Sequence, residues 1–331
     1  VIGGTGPSGF CIVERLCARG DEVSIFHTGR HEIPFSGLVE HIHGDPREEG
    51  DLRRLLAGRN FDVVVSTSGR VRHVVSTLRG SVGKFVSISG LPYYRRSRIG
   101  PGEIGIPLPI RETDPKVTDP QERYGYLVAL GEDMVMEAHR RGDFDATILR
   151  YTMVYGKYSS IPFEWFLVRR VLDGRGAIAI ESDGLMVPQR GYAKNLAEAV
   201  MLAIDHPAAS GKAYNVGDEQ SLSLLALTEL VARTLGHDWD MVPVPLRMSP
   251  CMNPFAMRQN TLFDLSAIRN DLGYRDVVPV EEATRRFVLW LRDNPVARGG
   301  SEERSLGPDA FDYAAEDRVI KRCRALYGAA A

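Results

Sequence analysis

The sequence lacks the features of membrane, nucleic-acid-binding and disulfide-stabilised proteins. No apolar run approaches the roughly 18–20 residues of a membrane helix, and no secretory signal is recognisable. With 41 basic and 43 acidic residues the net charge is −2, without the basic surplus that attracts nucleic acid. The 4 cysteines are scattered without metal-ligand spacing. We therefore expect a cytoplasmic protein that binds neither membranes nor nucleic acid.

Short apolar runs alternate with helical patterns in the first half of the 331-residue chain. Runs such as Val63-Val64-Val65 are typical of strands buried on both faces of a parallel sheet. The pattern predicts strands at 1–2, 22–27, 38–43, 62–67, 84–89 and 146–151 and helices at 8–19, 51–57, 72–79 and 121–141. This alternation implies βαβ units. We predict an α/β fold whose residues 1–156 form a Rossmann-type, doubly wound parallel sheet.

The second half has a looser rhythm of helices and two short strands. Residues 157–331 are predicted to form mainly a smaller substrate-binding lobe, interleaved with the Rossmann domain, and a C-terminal tail. Its segment 297–308 is rich in glycine and charge, so we expect it to be mobile. Six prolines between 91 and 120 exclude a long helix there. This loop should lie at the ligand-binding edge of the sheet, with Tyr93-Tyr94 and Arg95-Arg96 at the pocket rim.

A glycine-rich turn follows the first predicted strand and opens the first helix. Glycine tolerates positive φ and lets backbone amides approach a pyrophosphate, which the helix N-terminus also attracts. A second strand arrives about 20 residues on, as in dinucleotide-binding folds. We predict that this turn binds a dinucleotide. The residues expected to contact it are Gly3, Thr5, Gly6, Pro7, Ser8 and Gly9.

The end of the second predicted strand bears on the choice of cofactor. NAD-specific sites usually carry Asp or Glu there, bonded to the ribose 2′-hydroxyl. This chain has His27-Thr28-Gly29-Arg30 instead, in which Thr28 can donate to a 2′-phosphate and Arg30 can pair with it. We expect NADP to be preferred, with NAD possible. Further cofactor contacts are predicted at the ends of later strands, at Asp45, Ser66, Thr67 and Ser68.

Two histidines raise the question of a metal. His41 and His43 are two residues apart, so a strand would place both imidazoles on one face. Zinc sites need at least three protein ligands, and the sequence shows no third one nearby. No metal site is predicted.

Several segments together resemble the extended short-chain dehydrogenase/reductase family, the NAD-dependent epimerases and dehydratases. They are the glycine turn, Gly44-Asp45, Leu149-Arg150-Tyr151, Val154-Tyr155-Gly156, Arg190-Gly191-Tyr192-Ala193, Ala213-Tyr214-Asn215-Val216-Gly217, Phe263-Asp264-Leu265-Ser266 and Leu272-Gly273-Tyr274. The resemblance covers almost the whole chain. It implies about seven parallel strands, a cofactor contact at Tyr151, a small-molecule substrate and a homodimer.

The catalytic pattern of that family is incomplete here. It consists of a Ser or Thr, a Tyr, and a Lys four residues later that lowers the pKa of the Tyr for general acid–base catalysis. Tyr124 matches the tyrosine, but Val128 occupies the lysine position, and Ser89 lies one residue before the expected serine. Tyr124 and Ser89 are the candidate catalytic residues. Arg70 or Arg150 could supply the missing cation.

Three functions remain compatible with these residues. The favoured one is NADP-dependent oxidation or reduction of a small carbonyl or hydroxyl compound. The second is a non-redox epimerase, dehydratase or isomerase that uses bound cofactor. The third is a non-catalytic dinucleotide sensor or an RNA-binding relative, against which the near-neutral charge argues.

Overall fold

The computed structural model describes residues 1–67, 69–95, 105–248, 253–255 and 259–328; Ser68 and Arg96 lie outside them. The helices are α1 (Pro7–Arg19), α2 (Glu49–Leu56), α3 (Val71–Thr77), α4 (Arg123–Arg140), α5 (Trp165–Leu172), α6 (Ala193–Asp205), α7 (Leu224–Leu235), α8 (Ser266–Leu272), α9 (Val280–Asp293), α10 (Ser301–Arg304) and α11 (Tyr313–Gly328). The strands are β1 (Val23–His27), β2 (Val39–His43), β3 (Phe61–Ser66), β4 (Val82–Gly90), β5 (Asp145–Tyr151), β6 (Met153–Tyr155), β7 (Ala177–Glu181), β8 (Arg190–Tyr192), β9 (Lys212–Val216) and β10 (Asp240–Val244). None of the described helices is long and apolar enough to cross a bilayer.

The main sheet is parallel and wound in two directions from its centre. β1 pairs with β2, and β3, β4, β5 and β9 pair in that order, all in parallel. Ile2 forms parallel bridges to both Phe26 of β1 and Ser66 of β3, so residues 1–3 join the two groups. The order is therefore β2, β1, residues 1–3, β3, β4, β5, β9. The predicted Rossmann-type α/β fold is confirmed.

Burial on both faces explains the continuous apolar runs of these strands. Val65 and Leu149 pack into the core that contains residues of α1 and α6. Their neighbours Val64 and Ile148 pack into the core that contains residues of α2, α3 and α4. Because successive side chains of a strand point to opposite faces, a strand covered on both sides must be apolar throughout.

The chain forms two compact units, each built from three separate segments. The first comprises Val1–Val154, Arg190–Glu219 and Phe263–Val277, and the second comprises Tyr155–Gln189, Gln220–Leu262 and Val278–Ala331. Two segments from the C-terminal half, which include α6, β9 and α8, thus belong to the first unit.

The second unit contains a C-terminal region that the sequence pattern did not predict. β7 and β10 pair in parallel, and Ile320 of α11 packs with Ala179 and Val242 from these strands. In α10, Glu303 is buried, accepts a hydrogen bond from Nε1 of Trp165 at 3.1 Å and pairs with Arg169 at 2.5 Å. A paired, buried carboxylate anchors this segment, so the expectation of a mobile tail at 297–308 is wrong.

Candidate functional site

The glycine turn has the geometry of a dinucleotide site. Gly3 and Gly4 adopt φ of 104° and 100°, which L-residues with a side chain rarely adopt. The chain then enters α1, whose N-cap, Gly6, makes no side-chain capping hydrogen bond. The first amides of α1 are therefore available to an anion. A Cβ placed on Gly6 would meet no atom within 4 Å, so open space borders this helix end.

Gly9 allows α1 to approach the central strand closely. A Cβ on Gly9 would lie 2.8 Å from Cα of Gly4 and 2.9 Å from its nitrogen, both of which are backbone atoms that cannot give way. Ser8 and Pro7 lie in the first turn of α1, and Ser8 is buried. The turn lies where the strand order reverses, which is where ligands bind in such sheets. The residues present therefore fit a dinucleotide.

The exposed end of the turn after β1 carries the residues predicted to select NADP. Thr28 and Arg30 are exposed, whereas His27 is buried, with its ring against those of His41 and His43. Burial lowers the pKa of His27 and so favours its neutral form.

Residues at the ends of the neighbouring strands are tied to the sheet. The backbone amide and hydroxyl of Thr67 both donate to the Ile2 carbonyl, at 2.9 and 3.0 Å, while Ser66 is buried. Asp45 accepts from Arg47 at 3.1 Å, and this hydrogen bond holds the pKa of Asp45 below its usual range. Ser68 is outside the described residues.

Tyr151, the last residue of β5, is buried. Its side chain is buried in the core beside α1 and α6, and its hydroxyl donates to the Leu196 carbonyl at 3.4 Å. Burial raises the pKa of this phenol. The side chain therefore packs in the core, and the cofactor contact expected at Tyr151 stays a prediction.

The two candidate catalytic residues have contrasting surroundings. Tyr124, in the first turn of α4, is 64% exposed, and within the described parts of the chain its hydroxyl has no hydrogen-bond partner. Ser89, at the end of β4, donates its hydroxyl hydrogen to Oε1 of Glu132 at 2.5 Å. Ser89 is thus held by a carboxylate rather than left free for a substrate oxygen.

A buried ion pair organises this end of the sheet. Nη2 of Arg150 donates to Oε2 of Glu132 at 2.7 Å, Nε lies 3.1 Å from both carboxylate oxygens, and both side chains are 5% exposed. Nη1 donates to the Tyr94 hydroxyl and to the Glu112 carbonyl, each at 3.0 Å. The pKa of Arg150 is raised: burial alone would lower it, but the hydrogen bonds and charge of Glu132 outweigh that effect.

This network corrects two expectations. Arg150 is committed to Glu132 and cannot act as the substitute cation, and Arg70 is an exposed residue at the N-cap of α3. Tyr94 is not at a pocket rim: it is fully buried and hydrogen-bonded to Asn215, and burial raises its pKa. One feature of the sequence pointed to Glu132: it lies eight residues after Tyr124 and therefore on the same face of the helix.

We predict that Glu132→Ala destabilises the protein by about 3–5 kcal/mol, because it leaves the Arg150 guanidinium buried without a counter-charge. Asp133→Ala is the matched control. It removes the next residue of α4, a carboxylate that is 53% exposed and paired with Lys116 at 2.5 Å, and should cost about 0–1 kcal/mol. Urea unfolding of both variants measures the difference; equal losses would contradict a structural role for the buried pair.

Comparison with known proteins agrees with this architecture. Residues 96–217 match the model of the NAD dependent epimerase/dehydratase family. The chloroplast stem-loop binding protein of 41 kDa b from Arabidopsis thaliana is 24% identical over 252 residues, which are 71% of this chain and 62% of that protein. The chain thus spans less than two thirds of that relative. The 2-alkyl-3-oxoalkanoate reductase of Shewanella oneidensis is 24% identical, over 88% of this chain and 85% of the reductase.

Solved structures share the fold. A dTDP-glucose 4,6-dehydratase from Bacillus anthracis, solved in complex with NAD, superimposes with a TM-score of 0.66 at 16% identity, over 89% of this chain and 96% of that one. In residues 96–217 the chain is thus similar to the NAD dependent epimerase/dehydratase family, and its sheet shares the Rossmann-type fold of this neighbour.

Proposed function

We propose that this protein binds NADP(H) at the glycine turn and uses it to reduce a carbonyl group of a small organic substrate. The observation that carries the proposal is the uncapped N-terminus of α1, reached through Gly3 and Gly4 at positive φ and held against the central strand by Gly9. Bound NADPH supplies a hydride. The chain has to hold the cofactor, orient the substrate and deliver a proton.

Selection of NADP over NAD depends on the turn after β1. A carboxylate at the end of that strand would repel a 2′-phosphate, but the strand ends in His27. Arg30 follows in an exposed position from which a guanidinium can pair with a phosphate in a bidentate manner, and the Thr28 hydroxyl is a second donor.

We predict that NADPH binds more tightly than NADH and that Arg30→Ala weakens NADPH binding about tenfold to 100-fold, the worth of a charge-assisted hydrogen bond. NADH affinity should stay unchanged, because NADH has no 2′-phosphate. Fluorescence titration of both cofactors measures this. Arg53→Ala, which removes an exposed cation of α2, serves as the control for loss of charge alone. Equal affinity of the unmodified protein for the two cofactors would refute NADP selection.

The proton is assigned to Tyr124. Its hydroxyl is exposed in the first turn of α4, close in sequence to the loop that follows β4. Val128 offers no charge at the position of the family's lysine, and Arg150 is neutralised by Glu132. A phenol hydroxyl in this position can donate its proton to the substrate oxygen as the carbonyl is reduced.

We predict that Tyr124→Phe lowers the turnover number by about 10²–10⁴, the usual contribution of a positioned acid, with little change in NADPH affinity. Tyr126→Phe, a half-buried tyrosine on the same helix, should retain activity. The assay is oxidation of NADPH with a panel of 3-oxoacids, the substrate class in the name of the Shewanella relative. Undiminished turnover in Tyr124→Phe would remove this residue from the mechanism.

A non-redox epimerase or dehydratase is the second candidate, favoured by the family match and by the dehydratase fold neighbour. The two candidate functions differ in the amount of NADPH consumed per product molecule. A reductase consumes one NADPH for each product molecule, whereas an epimerase or dehydratase returns its cofactor to the starting state. Product analysis with a nucleotide-sugar panel, without net NADPH consumption, would favour the second candidate.

The name of the Arabidopsis relative raises RNA binding as a further possibility. We predict that this chain shows no salt-dependent RNA binding, because a net charge of −2 provides no surplus of cations to displace counterions from phosphates. A gel-shift titration with a stem-loop RNA at low salt is the measurement. A complex that forms and then weakens steeply as salt is added would show the prediction to be wrong.

A further inference from the structure

Four potential metal ligands meet at the ends of β1 and β2. Parallel pairing places His27 of β1 directly beside His43 of β2, and His41 is two residues earlier on the same face. The turn after β1 brings Glu32 to these rings. One ligand atom from each of these four residues lies within 4.8 Å of all the others.

The spacing of these atoms matches a tetrahedral site. Nε2 of His27 is 3.1 Å from Nδ1 of His41. The Glu32 carboxylate has Oε2 at 3.1 Å from Nδ1 of His41 and Oε1 at 3.0 Å from Nε2 of His43 and 3.9 Å from Nε2 of His27. Zinc bonds of about 2.0–2.1 Å at tetrahedral angles separate neighbouring ligand atoms by roughly 3.3–3.4 Å. These four separations bracket that value, and the remaining pairs of ligand atoms lie within 4.8 Å.

We propose that His27, His41, His43 and Glu32 form a binding site for a divalent transition metal, best suited to Zn²⁺. Imidazole nitrogens with one carboxylate oxygen are a ligand set that zinc prefers. The expectation of no metal site rested on the lack of a third ligand near His41 and His43. Strand register supplies that ligand as His27, and the turn supplies the fourth.

Metal binding sets a requirement on the tautomer of His27. A histidine binds a metal ion as neutral imidazole. The Gly29 amide lies 3.3 Å from Nδ1 of His27, a long hydrogen bond. A metal at Nε2 requires the ring proton on Nδ1, so this contact must open on binding. Gly29, with φ of 71°, lies in a turn between exposed Thr28 and Arg30, outside the core.

The alternative is a metal-free cluster in which the imidazoles hydrogen-bond to Glu32. Such a cluster needs protons shared among the rings, and it would show no defined metal stoichiometry. Metal titration therefore separates the two. The proposal does not depend on the cofactor, since the titration uses metal alone, and failure of either proposal leaves the other standing.

The test is titration of untagged, metal-stripped protein with Co²⁺ and then with Zn²⁺. The expected result is one Co²⁺ per chain, with the visible spectrum of a tetrahedral site and no thiolate charge-transfer band, displaced by Zn²⁺. His41→Ala and His43→Ala should each weaken binding at least about 100-fold. The side chains of His41 and His43 are 27% and 57% exposed, so their replacement by alanine leaves no cavity in the core.

The matched control is His31→Ala, which removes an exposed imidazole next to Glu32 that is not one of the four ligands. The His31→Ala variant should bind one metal ion per chain with unchanged affinity. Zn²⁺ should raise the melting temperature of the unmodified protein and of His31→Ala, but not of His43→Ala. Absence of stoichiometric binding, or equal weakening in His31→Ala and His43→Ala, would overturn the proposal.

Discussion

The contact of Gly9 with Gly4 is the constraint on which the rest of the first unit depends. Gly4 belongs to the turn that leaves the central strand, and Gly9 lies in α1, so any side chain at residue 9 would force the helix away from the sheet. The close approach sets the position of the uncapped helix end relative to the point where the strand order reverses. A polyanion can be held there by backbone amides, without a dedicated basic side chain.

A second constraint, made by side chains rather than by backbone atoms, operates at the ends of β4 and β5. There a charged pair, Glu132 and Arg150, is taken out of water and satisfied by hydrogen bonds to Ser89 and Tyr94. Removal of either partner would leave the other charge buried and unpaired. These groups are therefore held in place. Ser89, one of the two catalytic candidates, is among these groups, which leaves the exposed Tyr124 as the reactive hydroxyl of our proposal.

At the end of β1, a histidine in place of the usual acid changes which groups the following turn can bind. Where NAD-binding members of this fold carry a ribose-binding acid, this chain has His27, and its ring stacks edge-on with His41 and His43. The same turn carries Arg30 outward and Glu32 back onto the imidazoles. The proposed phosphate contact and the proposed metal site thus use different residues of one short segment.

The amino-acid sequence alone determined the order of strands and helices in the first half of the chain, the α/β class and the glycine turn. These follow from local periodicity: a run such as Val63-Val64-Val65 predicts a strand buried on both faces wherever that strand lies. Helix α1, predicted at 8–19, runs from Pro7 to Arg19. The catalytic candidates Tyr124 and Ser89 also came from the sequence, through the family resemblance.

Only the tertiary structure decided which side chains meet. The pairing of Glu132 with Arg150, the burial of Glu303 and the arrival of His27 beside His43 join segments that are far apart in the chain. Such meetings depend on strand register and on the packing of distant elements, which a local pattern does not encode. A shift of one residue between β1 and β2 would turn His27 to the opposite face from its partners.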